Sequence, residues 1–347
     1  MPGAGTEIGG AFAVDVLIVG AGPVGLFGAY YAGFRGLRVA VADALPEAGG
    51  QVSAMYPEKL IYDVAGFPAV KGRDLVTALL NQAAPFAPTY LLGERALTLR
   101  RIGLPDGGTE FEVGTDAGTT VRCRAVIVTA GIGAFAPRRL DVAARFEGRG
   151  LAYFVPDPDR YAGYDVVIVG GGDSAFDWAQ TLQPIARSVI LVHRRDAFRA
   201  HAATVAKVRA TSVEIITNAR VAEVAGDVAV AGVVVAGAGV HGERMLPCQR
   251  LVAALGFVAD LGPLRGWGLR IAENRHIVVD STMQTAVQGI FAAGDIAGYP
   301  GKVRLIAVGF GEVATAVNNA AVYMDPETAL FPGHSTDAAT TPAVAVA

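Results

Sequence analysis

An α/β protein built from two Rossmann-like (three-layer ββα) nucleotide-binding domains is predicted by three features of the chain. An apolar strand runs directly into a G-x-G-x-x-G turn at residues 20–25, and the same arrangement returns at residues 170–175. The length, 347 residues, exceeds what one hydrophobic core ordinarily serves.

The first turn follows the apolar stretch 14–19 and reads Gly20-Ala21-Gly22-Pro23-Val24-Gly25. Glycines there permit a tight turn and close backbone approach, and the helix that follows offers its free N–H groups and positive dipole end to a pyrophosphate. The next strand, 38–42, ends in Asp43, 23 positions after Gly20. A carboxylate at that address can accept hydrogen bonds from both hydroxyls of a ribose, and it repels a 2′-phosphate.

The second turn follows the strand 166–169 and reads Gly170-Gly171-Gly172-Asp173-Ser174-Ala175, with alanine in the third glycine place. Twenty-three positions after Gly170 the chain reads His193-Arg194-Arg195, and Arg199 lies one helical turn beyond Arg195. Positive charge has replaced negative. Guanidinium forks donate paired bonds to phosphate oxygens, each worth roughly 1.5–3 kcal/mol, so two of them would favour NADPH over NADH by ~10². The second site is therefore expected to take NADP(H).

Bulk properties exclude several classes. Hydrophobic residues make up 52% of the chain and charged residues 18%, so membrane insertion has to be weighed. The apolar run 228–240 is shorter than the ~20 residues of a spanning helix and is broken by Gly232, Gly237 and Gly239; it reads as a hairpin. The start of the chain has no basic cluster, and two widely spaced cysteines, Cys123 and Cys248, make a disulfide framework improbable, so a cytoplasmic protein is expected. A formal net charge of −3 gives no basic excess for nucleic acid. The strands 124–129 and 250–254 suit two adjacent crossovers between domains, which splits the first domain into 1–133 and 251–347 around a second at 134–250. The tail 336–347 lacks any helical or strand period and is expected to be disordered.

Several further motifs carry a resemblance over nearly the whole chain: Gly49-Gly50-Gln51, residues 56–59 (YPEK), 62–68 (YDVAGFP), 170–178 (GGGDSAFDW), 193–201 (HRRDAFRAH), Gly294-Asp295, 309–312 (GFGE), Asn318-Asn319 and His334-Ser335-Thr336. Together they resemble the thioredoxin-reductase-like ferredoxin–NADP reductases. The resemblance implies FAD in the first domain and NADPH in the second, the latter inserted as in thioredoxin reductase. It places Gln51 and Asp63 along the flavin, Asp295 on the ribityl or phosphate portion, and Glu312 at the start of a helix after Gly311 aimed at the flavin pyrimidine. It also implies that Tyr56 and His334 cover the two flavin faces, the histidine coming from the partner subunit of a homodimer, and that Ser335 belongs with them among the catalytic residues.

Thioredoxin reductases place a Cys-x-x-Cys ahead of the second Gly-rich strand, whereas residues 150–165 here (GLAYFVPDPDRYAGYD) contain no cysteine. One-electron transfer to ferredoxin or flavodoxin is therefore expected in place of disulfide reduction. Lys59, Lys71 and Lys302 are candidates for docking an acidic carrier. An NADPH-dependent flavin reductase or diaphorase is the rival enzymatic reading, and a non-catalytic FAD/NADPH redox sensor the rival from another class. No cluster with metal-ligand spacing is present in the sequence.

Overall fold

The computed structural model describes residues 6–8, 11–105, 107–155, 157–240 and 242–334. The chain divides into two compact units, Met1–Ala134 with Ala259–Ala347, and Phe135–Val258.

The first unit is organised on a five-stranded parallel sheet in the order Ile290–Ala292, Ala125–Val128, Val16–Val19, Val39–Asp43, Thr89–Leu92. Strands covered on both faces must be apolar throughout. Val16–Val19 and Ala125–Val128 are buried at every position. The helices Pro23–Phe34, Gly72–Ala83 and Ile306–Met324 form one outer layer, with the first packed against the other two. A mixed sheet in the order Thr6–Ile8, Ala11–Ala13, Thr120–Cys123, Thr109–Thr115, Ala96–Gly103, antiparallel except where Ala11–Ala13 runs parallel to Thr120–Cys123, forms the other. Its alternate residues Phe111, Val113 and Val121 enter the same core as Val126 and Ile127.

The second unit repeats the plan. Its parallel sheet runs Leu151–Ala152, Arg250–Ala254, Asp165–Gly170, Ser188–Val192, Glu214–Ile216. Successive side chains of the central strand divide between two cores, as the two-residue strand period requires. Val166 and Ile168 meet Phe176, Leu182 and Val208 on the helical face, while Val167 and Val169 meet Val221, Val233 and Leu246 of the antiparallel sheet. Each unit also ties the starts of two neighbouring strands of its parallel sheet with an acid–arginine pair. Asp15 accepts from the Arg38 backbone N–H at 2.8 Å and from its guanidinium at 3.0 Å, and Asp165 accepts from Arg187 Nε at 2.8 Å.

Four expectations are corrected. The run 228–240 is not a hairpin but a turn followed by the single strand Gly232–Gly237, which is central in an antiparallel sheet between Arg220–Ala225 and Gly242–Pro247. Valine is dense there because Val233 and Val235 are fully buried. The strands Ala125–Val128 and Arg250–Ala254 are not neighbouring crossovers, since each lies inside the parallel sheet of its own unit. The chain passes between the units instead at Ala134–Pro137 and Phe257–Asp260, which pair with each other, so the return falls after Val258 and not after residue 250. The last helix begins at Ile306, ahead of Gly311. Gly309 and Gly311 lie within it, and a Cβ on Gly309 would collide with Val24, so that glycine serves close packing and not a helix start. The tail 336–347 lies outside the described residues.

Candidate functional site

In the first unit the turn 20–25 owes its shape to its glycines. Gly20 has φ +119, and a Cβ there would stand 2.5 Å from the Thr129 carbonyl oxygen; a Cβ on Gly25 would collide with the Gly20 oxygen. Gly22 is different, because a Cβ on it would meet nothing within 4 Å. It is the N-cap of Pro23–Phe34, has no side-chain capping bond, and is followed by no acid in the first turn. The N–H groups of that turn are thus left for an outside acceptor. Pro23 sits at the first helical position, where its missing N–H costs nothing.

Asp43 ends the second strand with its carboxylate turned to this loop. One oxygen accepts from the Ala21 N–H at 2.6 Å and the other from the Leu45 N–H at 2.8 Å. Burial raises its pKa and those two bonds oppose the rise. Residues 49–51 close over the same turn: Gly49 N–H donates to the Ala21 oxygen at 2.7 Å, and a Cβ on Gly50 (φ +56) would lie 3.1 Å from Gly22 Cα. The Gln51 amide nitrogen lies 2.8 Å from where a Gly131 Cβ would be.

Tyr56 caps the short helix Gln51–Met55. Its phenol pKa is raised by burial and then by the carboxylates of Asp295 and Asp63, so the charges of both predicted residues act on the phenol. Gly294, beside Asp295, packs on Val24 of the first helix; a Cβ on it would stand 3.2 Å from that side chain. Glu312 does not open onto this space: its carboxylate accepts from the Gly294 N–H at 2.8 Å, from Tyr299 Oη and from Lys302 Nζ. Lys302, expected on a docking surface, has a side chain only 4% exposed. Lys71 is half-exposed and paired with Glu58 at 3.3 Å, and Lys59 is exposed. Sequence reasoning missed Tyr299 and His276. The His276 ring has Nδ1 3.1 Å from the Asp295 main-chain oxygen and Nε2 2.8 Å from an Arg304 nitrogen; no local motif marks it. His334 is exposed, with its ring edge-on to Phe331 at 5.1 Å. Ser335 lies outside the described residues.

In the second unit Gly170 packs on the Ala254 carbonyl, and Gly171 leaves room for the His193 ring, which a Cβ would strike. Gly172 is again an open N-cap, followed by Asp173 and the exposed Ser174 at the helix start. Asp173 accepts from the His201 N–H at 2.8 Å, and Arg199 N–H donates to the Gly171 oxygen at 2.8 Å. These two bonds bring the segment 193–201 to the Gly-rich turn. The His193 pKa is lowered by burial first and then by Arg194, Arg195 and Arg199, so the three guanidinium groups form one electrostatic cluster around it. All three are exposed, and none has an ion-pair partner among the described residues. An anion with several acceptor oxygens suits such a cluster.

Both cysteines are free, buried thiols in different units. Burial pushes Cys248 up to about 12 and Cys123 higher still, so neither is poised as a thiolate. Among the described residues no group of three His, Cys, Asp or Glu side chains could hold a metal, and no helix is long and apolar enough to cross a membrane.

The family model "Pyridine nucleotide-disulphide oxidoreductase" matches residues 14–320. A protein of Salinispora tropica named ferredoxin–NADP reductase is 62% identical over 324 residues, covering 93% of this chain and 98% of its own. One of the same name from Thermus thermophilus is 47% identical over 331 residues, covering 94% and 97%. Among solved structures, thioredoxin reductase of T. acidophilum superimposes with a TM-score of 0.74 at 27% identity, covering 91% of this chain and 99% of that one.

Proposed function

The chain belongs to the pyridine nucleotide-disulphide oxidoreductase family, with the thioredoxin-reductase-like fold, and on that premise we propose that it is an oxidoreductase working as a ferredoxin–NADP reductase, with FAD in the first unit and NADP(H) in the second. The observation that carries this reading is the inversion of charge between two otherwise equivalent Gly-rich turns. Asp43 stands where a ribose diol is accepted and a 2′-phosphate repelled. The cluster Arg194, Arg195 and Arg199 stands where a 2′-phosphate is bound.

The first site fits a flavin dinucleotide. The open Gly22 cradle and the uncapped helix start would receive the pyrophosphate, with Gly20 and Gly25 keeping the backbone close. Gln51, Tyr56, Asp63 and Asp295 would line the remainder. When bound, the flavin would supply the redox chemistry that links a two-electron hydride donor to a one-electron carrier. The chain's own part is positional. The Ile306–Met324 helix has no acid in its first turn and no side-chain cap, so its N-terminus favours negative charge placed before it. Gly170, Gly172, Asp173 and Ser174 would hold the NADPH pyrophosphate, and His193 would pack beside the arginines.

Ferredoxin is favoured over a disulfide as acceptor because the chain's two cysteines are buried, have raised pKa values and are distributed over different units. Flavodoxin is a second carrier of the same kind. Lys59 and Lys71 remain exposed enough to meet an acidic carrier, whereas Lys302 is withdrawn from that role. We place the protein in the cytoplasm as a homodimer in which His334 of one subunit covers the flavin of the other. Stopped-flow absorbance tests the reading: NADPH should bleach the flavin, and ferredoxin should restore its colour and support cytochrome c reduction. Rapid reduction of a dithiol substrate without a carrier, or no bleaching by NADPH, would overturn it.

A further inference from the structure

We infer that Glu312 is a positioning residue of the flavin site, acting through the Gly294 N–H to hold the segment 294–302 against the first helix. The inference rests on the assignment of FAD to the first unit. Glu312 is the only buried carboxylate among the described residues, at 6% exposure, and an isolated charge there would be strongly disfavoured. It is not isolated. One oxygen takes the Gly294 N–H at 2.8 Å, and the other takes Tyr299 Oη and Lys302 Nζ. Three points along one segment are therefore gathered onto a single side chain of the last helix.

The consequence is geometric. Gly294 has φ +79 and lies on Val24, in the first turn of the helix that follows the Gly-rich loop. The next residue, Asp295, is near enough to Tyr56 for its charge to raise the phenol pKa. Asp295 has no ion-pair partner among the described residues, and the nearby lysine is committed to Glu312. The opposite side of the segment is fixed by His276. Arginine can only donate, so Nε2 accepts from Arg304 and Nδ1 carries the proton that is given to the Asp295 oxygen. The main chain at Asp295 is thereby held from two sides.

Two double variants separate the clamp from the ion pair. Glu312→Gln with Lys302→Met removes both charges but leaves an amide oxygen for Gly294, whereas Glu312→Leu with Lys302→Met removes the acceptor as well. FAD affinity of the apoprotein, the visible circular dichroism of bound flavin and the flavin midpoint potential are measured beside the thermal midpoint. The Gln/Met protein should bind FAD within threefold of the unmodified chain with the same spectrum. The Leu/Met protein should bind at least tenfold more weakly, with an altered spectrum and a shifted potential, at a thermal midpoint equal to or above that of Gln/Met. Unchanged affinity, spectrum and potential in Leu/Met would overturn the inference, as would equal losses in both variants. Failure of the underlying assignment is distinct, since the unmodified chain would then take up no FAD.

Discussion

Replacing Arg194 and Arg195 together by alanine removes two of the three guanidinium groups that act on His193 while leaving the backbone bonds of the segment in place, because alanine keeps the main-chain groups, including the Arg195 oxygen that accepts from the Asn218 N–H. Among the described residues neither side chain is paired with an acid, so the change leaves no buried partner behind and should cost the fold little. Its effect on NADPH follows from the bonds lost. Charge-assisted bonds contribute roughly 1.5–3 kcal/mol each, and exposure to solvent brings these to the lower end. Two lost bonds thus correspond to about 3 kcal/mol, or ~10² in kcat/KM for NADPH. NADH lacks the phosphate and should change by less than about threefold. The assay is ferricyanide reduction with each nucleotide over a range of ionic strength, the NADPH loss shrinking as salt screens the cluster. A second readout needs no turnover: with two of its three depressing charges gone, the His193 pKa should rise toward its ordinary value in NMR titration. Equal losses with NADPH and NADH would refute the assignment of the cluster to the 2′-phosphate, and an unmoved His193 would refute the electrostatic picture.

Cys123→Ala with Cys248→Ala should keep ferredoxin-dependent cytochrome c reduction within about twofold while lowering stability by ~1–2 kcal/mol for the lost packing; loss of activity at unchanged flavin content would restore a sulfur relay. Acid should loosen the His276 network. Its folded-state pKa is lowered by burial and then by Arg304, so its contribution is full above the unfolded value near ~6.5 and is lost as pH falls below that toward the folded value. The urea midpoint should accordingly decline from pH 7 to pH 5, and His276→Gln should flatten part of that decline; an identical slope in the variant would refute the neutral-imidazole account. Gly25→Ala should destabilise the first unit by about 3 kcal/mol or more, because its Cβ collides with the Gly20 backbone and lies 2.7 Å from Thr129 Oγ1; a soluble variant with an unshifted thermal midpoint would contradict the packing described.

Features written in short stretches of chain were legible without a structure. The two strand–turn–helix units and the inversion of charge after them depend on glycine spacing and on the residue ending each second strand, and both are local properties. Their neighbours in space were not, because a side chain's surroundings depend on which strands pair. Lysine reads as a surface residue by default, and Lys302 departs from this only because the last helix places Glu312 beside it. The strand Arg250–Ala254 could be recognised as apolar, but its place beside Asp165–Gly170, separated by more than eighty residues of chain, was set by sheet assembly. Glycine in the motif at 309–312 read as a helix start and proved to be a packing contact with Val24.

By itself the sequence determined that the chain carries two Gly-rich turns followed by opposite charge and that it lacks a Cys-x-x-Cys pair. The tertiary structure alone decided which carboxylate is spent inside the protein and which is presented, turning Glu312 inward and leaving Asp295 beside Tyr56. The physical reason is that a buried charge must find its partners, and those partners come from wherever the fold brings the chain back.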